Sequence, residues 1–180
     1  MDEPEAISEV RREIMLAEYK SLRDETFKRM DHRITLFVSS LTISGAIAAI
    51  AVERRSGALL LLTPIFATLF GLMVLFHTKI IADIARYVVE KIELPLNEAY
   101  PNSIGWHIKP AWKGSKFRGI LITFHVPMML TVAVPALVTV ALSWQYGDPP
   151  EILVPLMITD LGLVAFYFWQ YFRSVQPIWK

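Results

Sequence analysis

Apolar residues in this chain come in four long blocks, with charged and mixed segments between them. The blocks run at about Ile34–Val52, Ala58–His77, Gly119–Trp144 and Ile152–Phe172. Each approaches the roughly 20 residues a helix needs to cross a ~30 Å hydrocarbon core. One such block reads equally well as a buried core helix. Four of them in 180 residues leave no polar shell to cover them, so the pattern predicts four transmembrane helices. Pro127 and Pro135 make the third block the least regular.

Between the blocks the pattern turns amphipathic. There is no Pro or Gly from Glu5 to Ser44, and Asp2, Glu3 and Glu5 surround Pro4 in a manner that suits a helix start. Ile7, Val10, Ile14, Met15, Tyr19, Leu22, Thr26, Met30 and Ile34 recur at helical spacing with one shift of register. One helix from Glu5 to about Val52 is expected. Beyond His77, Ile81, Ile84, Ala85, Val88 and Ile92 alternate with Lys79, Asp83, Arg86, Glu90 and Lys91 up to Pro95, the signature of an amphipathic helix. Only Glu53–Gly57 joins the first two blocks, so these are antiparallel neighbours whose extensions emerge together. Leu22, Met30, Ile81, Ile84, Val88 and Ile92 are expected to face one another, a neighbouring subunit or a partner protein.

The expected fold class is therefore an all-α integral membrane protein. It has four transmembrane helices and helical cytoplasmic extensions of spans one and two. Residues 1–33 form a cytoplasmic amphipathic helix continuous with span one, and 34–77 the first transmembrane hairpin. Residues 78–118 form a cytoplasmic helix plus a basic aromatic loop, 119–172 the second hairpin, and 173–180 a cytoplasmic tail.

The net charge of +1 says little as a total. Its distribution sets the orientation, because cytoplasmic loops carry an excess of Lys and Arg. Segments 1–33 and 78–118 hold seven each, whereas the Ser143–Glu151 loop holds none. Arg54 and Arg55 are outvoted, and both termini are expected in the cytoplasm of a cell whose inner (plasma) membrane holds the chain. At 54% hydrophobic and 19% charged, with mean hydropathy +0.42, the composition excludes disorder, collagen and an ordinary soluble enzyme domain. The absence of cysteine removes thiol catalysis, cysteine-based zinc sites, iron–sulfur clusters and disulfides. No cleavable leader is expected.

Residues 95–118 are broken by Pro95, Pro101, Asn102, Gly105, Pro110 and Gly114. There Trp106 and Trp112 alternate with Lys109, Lys113, Lys116 and Arg118. Such a stretch just before a span reads first as an anchor to anionic lipid headgroups. Aromatic and basic residues also stack on nucleotides, but no phosphate-binding glycine fingerprint supports that ligand, and nucleic acid is not expected.

Asp160 is the acidic residue well inside a span, near mid-depth, and an intramembrane ionisable residue is a functional candidate by default. Its alternative role is that of a protonated acid fixing helix register. Thr159 sits beside it. His125 lies near the inner end of span three, where it either joins Asp160 through water or bonds a carbonyl freed by Pro127. Ser40, Ser44 and Ala48, beside Gly45 and Ala49, form a small-residue seam that allows close helix approach within or between subunits. No catalytic constellation, metal-ligand cluster or cofactor fingerprint is present, so neither enzymatic activity, a metal nor a cofactor is expected.

Glu18-Tyr19-x-Ser21-Leu22-Arg23-Asp24-Glu25 before span one, Arg86-Tyr87-x-x-Glu90-x-Ile92-Glu93 after span two, then Gly105-Trp106, form a pattern over roughly residues 15–110. It resembles a family of small prokaryotic four-span membrane proteins of uncharacterised function. His107 stands where that pattern has Glu, and Val88-Val89 where it has Ile-Arg. The resemblance implies four spans and a cytoplasmic helical layer, and no reaction.

The leading expectation is a self-associating channel, pore or membrane-perturbing effector gated by its cytoplasmic helices. The alternatives are a membrane-anchored scaffold or sensor recruiting a soluble partner, and an ion-coupled transporter or membrane-embedded enzyme using Asp160 and His125.

Overall fold

A computed structural model describes residues 3–99, 126–146 and 148–175. It is all-helical, with no strand among the described residues. Helix α1 is Glu3–Glu53, α2 is Gly57–Leu60 and α3 is Leu62–Val88. A π-helical segment, Val89–Glu93, joins α3 to α4, Leu94–Ala99. Helix α5 is Val126–Ser143, followed by a 3₁₀ turn at Trp144–Tyr146, and α6 is Pro150–Val175. Among the described residues four helical stretches are long and apolar enough to cross a membrane: Glu9–Glu53, Gly57–Glu98, Met128–Tyr146 and Pro150–Ser174. Pro135 does not break the third.

Helix α1 runs unbroken because nothing in it stops a helix before its end. It ends when Arg55 takes a left-handed conformation, φ 50°, at a cost of about 1 kcal/mol for a residue with a Cβ. The Ser56 N–H then bonds back to the Ala51 carbonyl at 3.0 Å, closing the helix end. The second helical run passes through Pro95 rather than stopping at it. Proline clashes with the carbonyl four residues back, and the π segment relieves this by shifting to five-residue bonding, with Leu94 N–H donating to Val89 O.

The chain forms two compact units. In the first, built from residues up to His32 and from His77 on, the core is Val88, Ile92 and Leu96. Met15, Tyr19, Leu22 and Ile84 pack against it. The Tyr87 hydroxyl donates to Glu18 at 2.7 Å, which holds that phenol above its ordinary range, first through the hydrogen bond and then through the carboxylate's charge. Arg29 Nε donates to Glu25 at 2.9 Å.

In the second unit α3 is the most enclosed span-length helix: 44% of its most apolar window is buried, against 17–22% for the others. Close contacts fix the register. A Cβ on Gly57 would collide with the Ser143 backbone carbonyl, and one on Gly71 would lie 2.7 Å from Val132 Cγ2 and 3.1 Å from Tyr167 Cε2. Helices α3 and α5 are thus antiparallel. Helix α6, which returns after a short connection, is parallel to α3. Leu75, Val132, Tyr167 and Tyr171 form the core here, with Leu72, Met128 and Val164 against it.

Candidate functional site

Asp160 lies on the inward face of α6. Leu153 and Tyr167, seven residues to either side, are 1% and 0% exposed, and Asp160 itself is 1% exposed. Seven residues is about two helical turns, so these three side chains share one face. Among the described residues neither carboxylate oxygen has a hydrogen-bond partner, and no ion pair involves it. Thr159 next to it is exposed, and its hydroxyl donates to the Pro155 carbonyl of its own helix at 2.9 Å. Thr159 therefore points about 100° away from Asp160 around α6 and takes no part in the buried arrangement.

The register sets the level of the α3 hydroxyls relative to Asp160. Gly71 meets Tyr167, and on parallel helices the residue seven before Gly71, the fully buried Pro64, stands level with Asp160. Thr68 is about 6 Å further along α3, at 1.5 Å per residue. It is 0% exposed and shares the face of Leu72 and Leu75, which belong to the cluster around Tyr167. Thr63 and Ser44 are buried as well, and the hydroxyls of Thr68, Thr63 and Ser44 all lack partners among the described residues. Sequence reading singled out Asp160 and Ser44 but missed Thr68 and Thr63. Their signal was a hydroxyl at helical spacing from Gly71, Leu72 and Leu75 inside an otherwise apolar run.

The small-residue seam of α1 divides. Ser40 and Ser44 are buried and Ala48 is half-buried, whereas Gly45 and Ala49 are exposed. A Cβ on Gly45 would meet nothing within 4 Å. Ser40 and Phe37 of α1 line a narrow cleft with Ala67 and Gly71 of α3 and Val132 of α5.

In the first unit, Leu22, Ile84, Val88 and Ile92 come together in one apolar cluster. Ile81 is half-buried outside that cluster, and Met30 is exposed. Two further features were not anticipated. The His32 and His77 rings meet edge to face at 5.8 Å, and Glu93 is 0% exposed beside Ile92. His125, Trp106, Lys109, Trp112, Lys113, Lys116 and Arg118 lie outside the described residues. No group of three or more potential metal ligands is found among the described residues. No family model, curated protein or solved structure matches this chain, so the family resemblance rests on its motifs alone.

Proposed function

We propose that this chain is a self-associating integral membrane protein that conducts a small ion, with Asp160 in the path. The observation that carries the reading is the buried Asp160 carboxyl, with no partner on either oxygen among the described residues. At the centre of a bilayer an acidic residue costs at least ~2.5–3.5 kcal/mol on insertion scales. An acid that merely fixes helix register would recover that cost through hydrogen bonds to a neighbouring helix, and this one makes none among the described residues. The Lys/Arg distribution supports an inner-membrane chain with residues 1–33 and 78–118 in the cytoplasm, where their helices form a gating layer. The exposed Gly45 and Ala49 on α1 support close approach of a second copy.

Conductance or dye and ion leak in proteoliposomes tests this. Asp160→Asn should preserve assembly, since the amide is nearly isosteric, and change the conductance or its ion dependence. Unaltered conductance in Asp160→Ala at normal expression would remove Asp160 from the path.

A second reading, a scaffold that recruits a soluble partner, is favoured by the exposed Val10, Ile14 and Leu16 on α1. Under this reading charge substitution at Val10 and Ile14 abolishes partner capture and leaves conductance untouched.

A further inference from the structure

We propose that His32 and His77 form a proton-sensing pair, which holds α1 against α3 until both rings are protonated and then releases that contact. The inference rests on the membrane reading above, in which the two helices emerge together at the cytoplasmic face, and names the signal that reaches them. The rings meet edge to face at 5.8 Å between centroids. They also mark where the first unit closes, since it ends at His32 on α1 and resumes at His77 on α3. His32 is exposed and His77 half-buried, so protons reach the pair through His32.

The consequence follows from charge. Histidine ordinarily titrates near ~6.5, within the physiological range. One proton on the pair leaves the rings in contact, whereas two place like charges side by side. At an effective dielectric of about 20, two unit charges at the observed separation disfavour the doubly protonated pair roughly a hundredfold. The surroundings add to this. The charged residues within about one turn along either helix are Lys28, Arg29, Asp31 and Arg33 on α1 and Lys79 on α3, so cations outnumber acids. Arg29 is near enough to act on the His77 ring through its charge, and Glu25, which accepts from Arg29 at 2.9 Å, is the further acid beside it. Helix α6, which packs on α3 through Tyr171 and Leu75, adds Arg173 just beyond that contact. The pair therefore takes a second proton only by moving apart. About three turns further out, Met15, Tyr19 and Leu22 pack on Val88, Ile92 and Leu96. None of these carries a charge at neutral or acid pH, so that cluster keeps the arms together while the rim opens.

The test follows the thermal unfolding midpoint of the full chain in detergent from about pH 7.5 to about pH 5.5, across the histidine range. Separated rings bind more protons than paired ones, so the contact's stability is complete above the ordinary histidine value and is lost as pH falls below it. The wild-type midpoint should drop by about 3 °C over this range on that account. His32→Phe and His77→Phe keep an aromatic contact and remove one titrating ring. Each should abolish most of the drop, and the double change should abolish little more, because the repulsion needs both rings. If one single variant does not fold, the other decides. A drop unchanged in either variant overturns the pair, as do two variants whose effects on the drop simply add. Proteoliposome conductance at the two pH values separates the sensor from the reading it rests on. A drop that needs both histidines, in a chain that conducts nothing, supports the sensor and removes the conduction reading. A drop indifferent to both histidines, in conducting proteoliposomes, overturns the sensor and leaves the conduction reading standing.

Discussion

Asp148 Oδ2 accepts the backbone N–H of Ala58 at 2.7 Å and the Ser56 hydroxyl at 3.2 Å. Ser56 in turn caps α2 by accepting from Leu59 N–H at 3.3 Å. One carboxylate thereby ties the turn after α1 to the connection between α5 and α6, and serves the first N–H groups of a helix, which have no partner within it. Asp148→Ala should lower stability by about 0.5–2 kcal/mol, as for loss of a helix cap. Asp148→Asn should retain most of it. The change should be less than additive with Ser56→Ala, because the two share one network. Thermal unfolding of the four variants in detergent measures this coupling.

The glycines divide by what a methyl group would meet. Gly57→Ala drives a Cβ into the Ser143 carbonyl, which is backbone and cannot rotate away. Gly71→Ala meets side chains of Val132 and Tyr167. Both should destabilise, Gly57→Ala the more, by about 1–3 kcal/mol as in other overpacked interiors. Gly45→Ala and Gly162→Ala meet nothing within 4 Å and should be neutral or gain up to about 1 kcal/mol of helix propensity. Unfolding midpoints rank the four.

Gly45→Leu separates packing inside the chain from packing between chains. It adds bulk only on an exposed face of α1, so the monomer should keep its unfolding midpoint. The oligomer should shift toward monomer if that face is the contact, as read by light scattering of the purified protein. A normal oligomer in Gly45→Leu moves the contact elsewhere.

Ile84→Asp plus Val88→Asp places two charges in the cluster that Met15, Tyr19 and Leu22 share with Ile92 and Leu96. Protease cleavage within 78–95 in inside-out vesicles should become faster, with membrane insertion unchanged. Wild-type cleavage rates would mean that this stripe lies on the bilayer rather than against protein.

The Tyr87–Glu18 bond should show in the alkaline limb of stability. The folded phenol lies above its ordinary value of 10.0. Its contribution is therefore complete below the unfolded pKa and is lost as pH rises through the folded one. Tyr87→Phe should remove that slope and lower neutral-pH stability by the same amount, a small one because the pair is exposed. Denaturant unfolding across the alkaline range reads the difference.

The span-length helices were legible because their signal is compositional: twenty or so apolar residues need no knowledge of neighbours. The α1 extension was legible because nothing between Glu5 and Ser44 stops a helix. Passage through Pro95 was not, since a proline reads as a stop until the bonding of the five residues before it is known. Asp160 could be singled out by its charge alone. Thr68 and Thr63 could not, because a hydroxyl in a span ordinarily bonds its own helix, as Thr159 and Thr139 do. Only the register set by Gly71 and Tyr167 shows which hydroxyls lie within about one turn of the acid's level. The same limit separated Met30 from Leu22: both fit one stripe on paper, but partners cover only the latter.

The five residues Val89–Glu93 amount to a helix carrying one residue more than its ladder requires. Removing a single residue there would let the chain revert to ordinary α-helical bonding, a change the backbone itself would welcome. The positions downstream would keep their face, because the wider turn already absorbs the extra residue, but Pro95 would come back against the carbonyl four residues before it. The extra residue is thus tied to the proline that follows it: a chain without Pro95 has no need of the wider turn, whereas a chain that keeps Pro95 keeps the segment's length, with the buried Ile92 and Glu93 fixed within it.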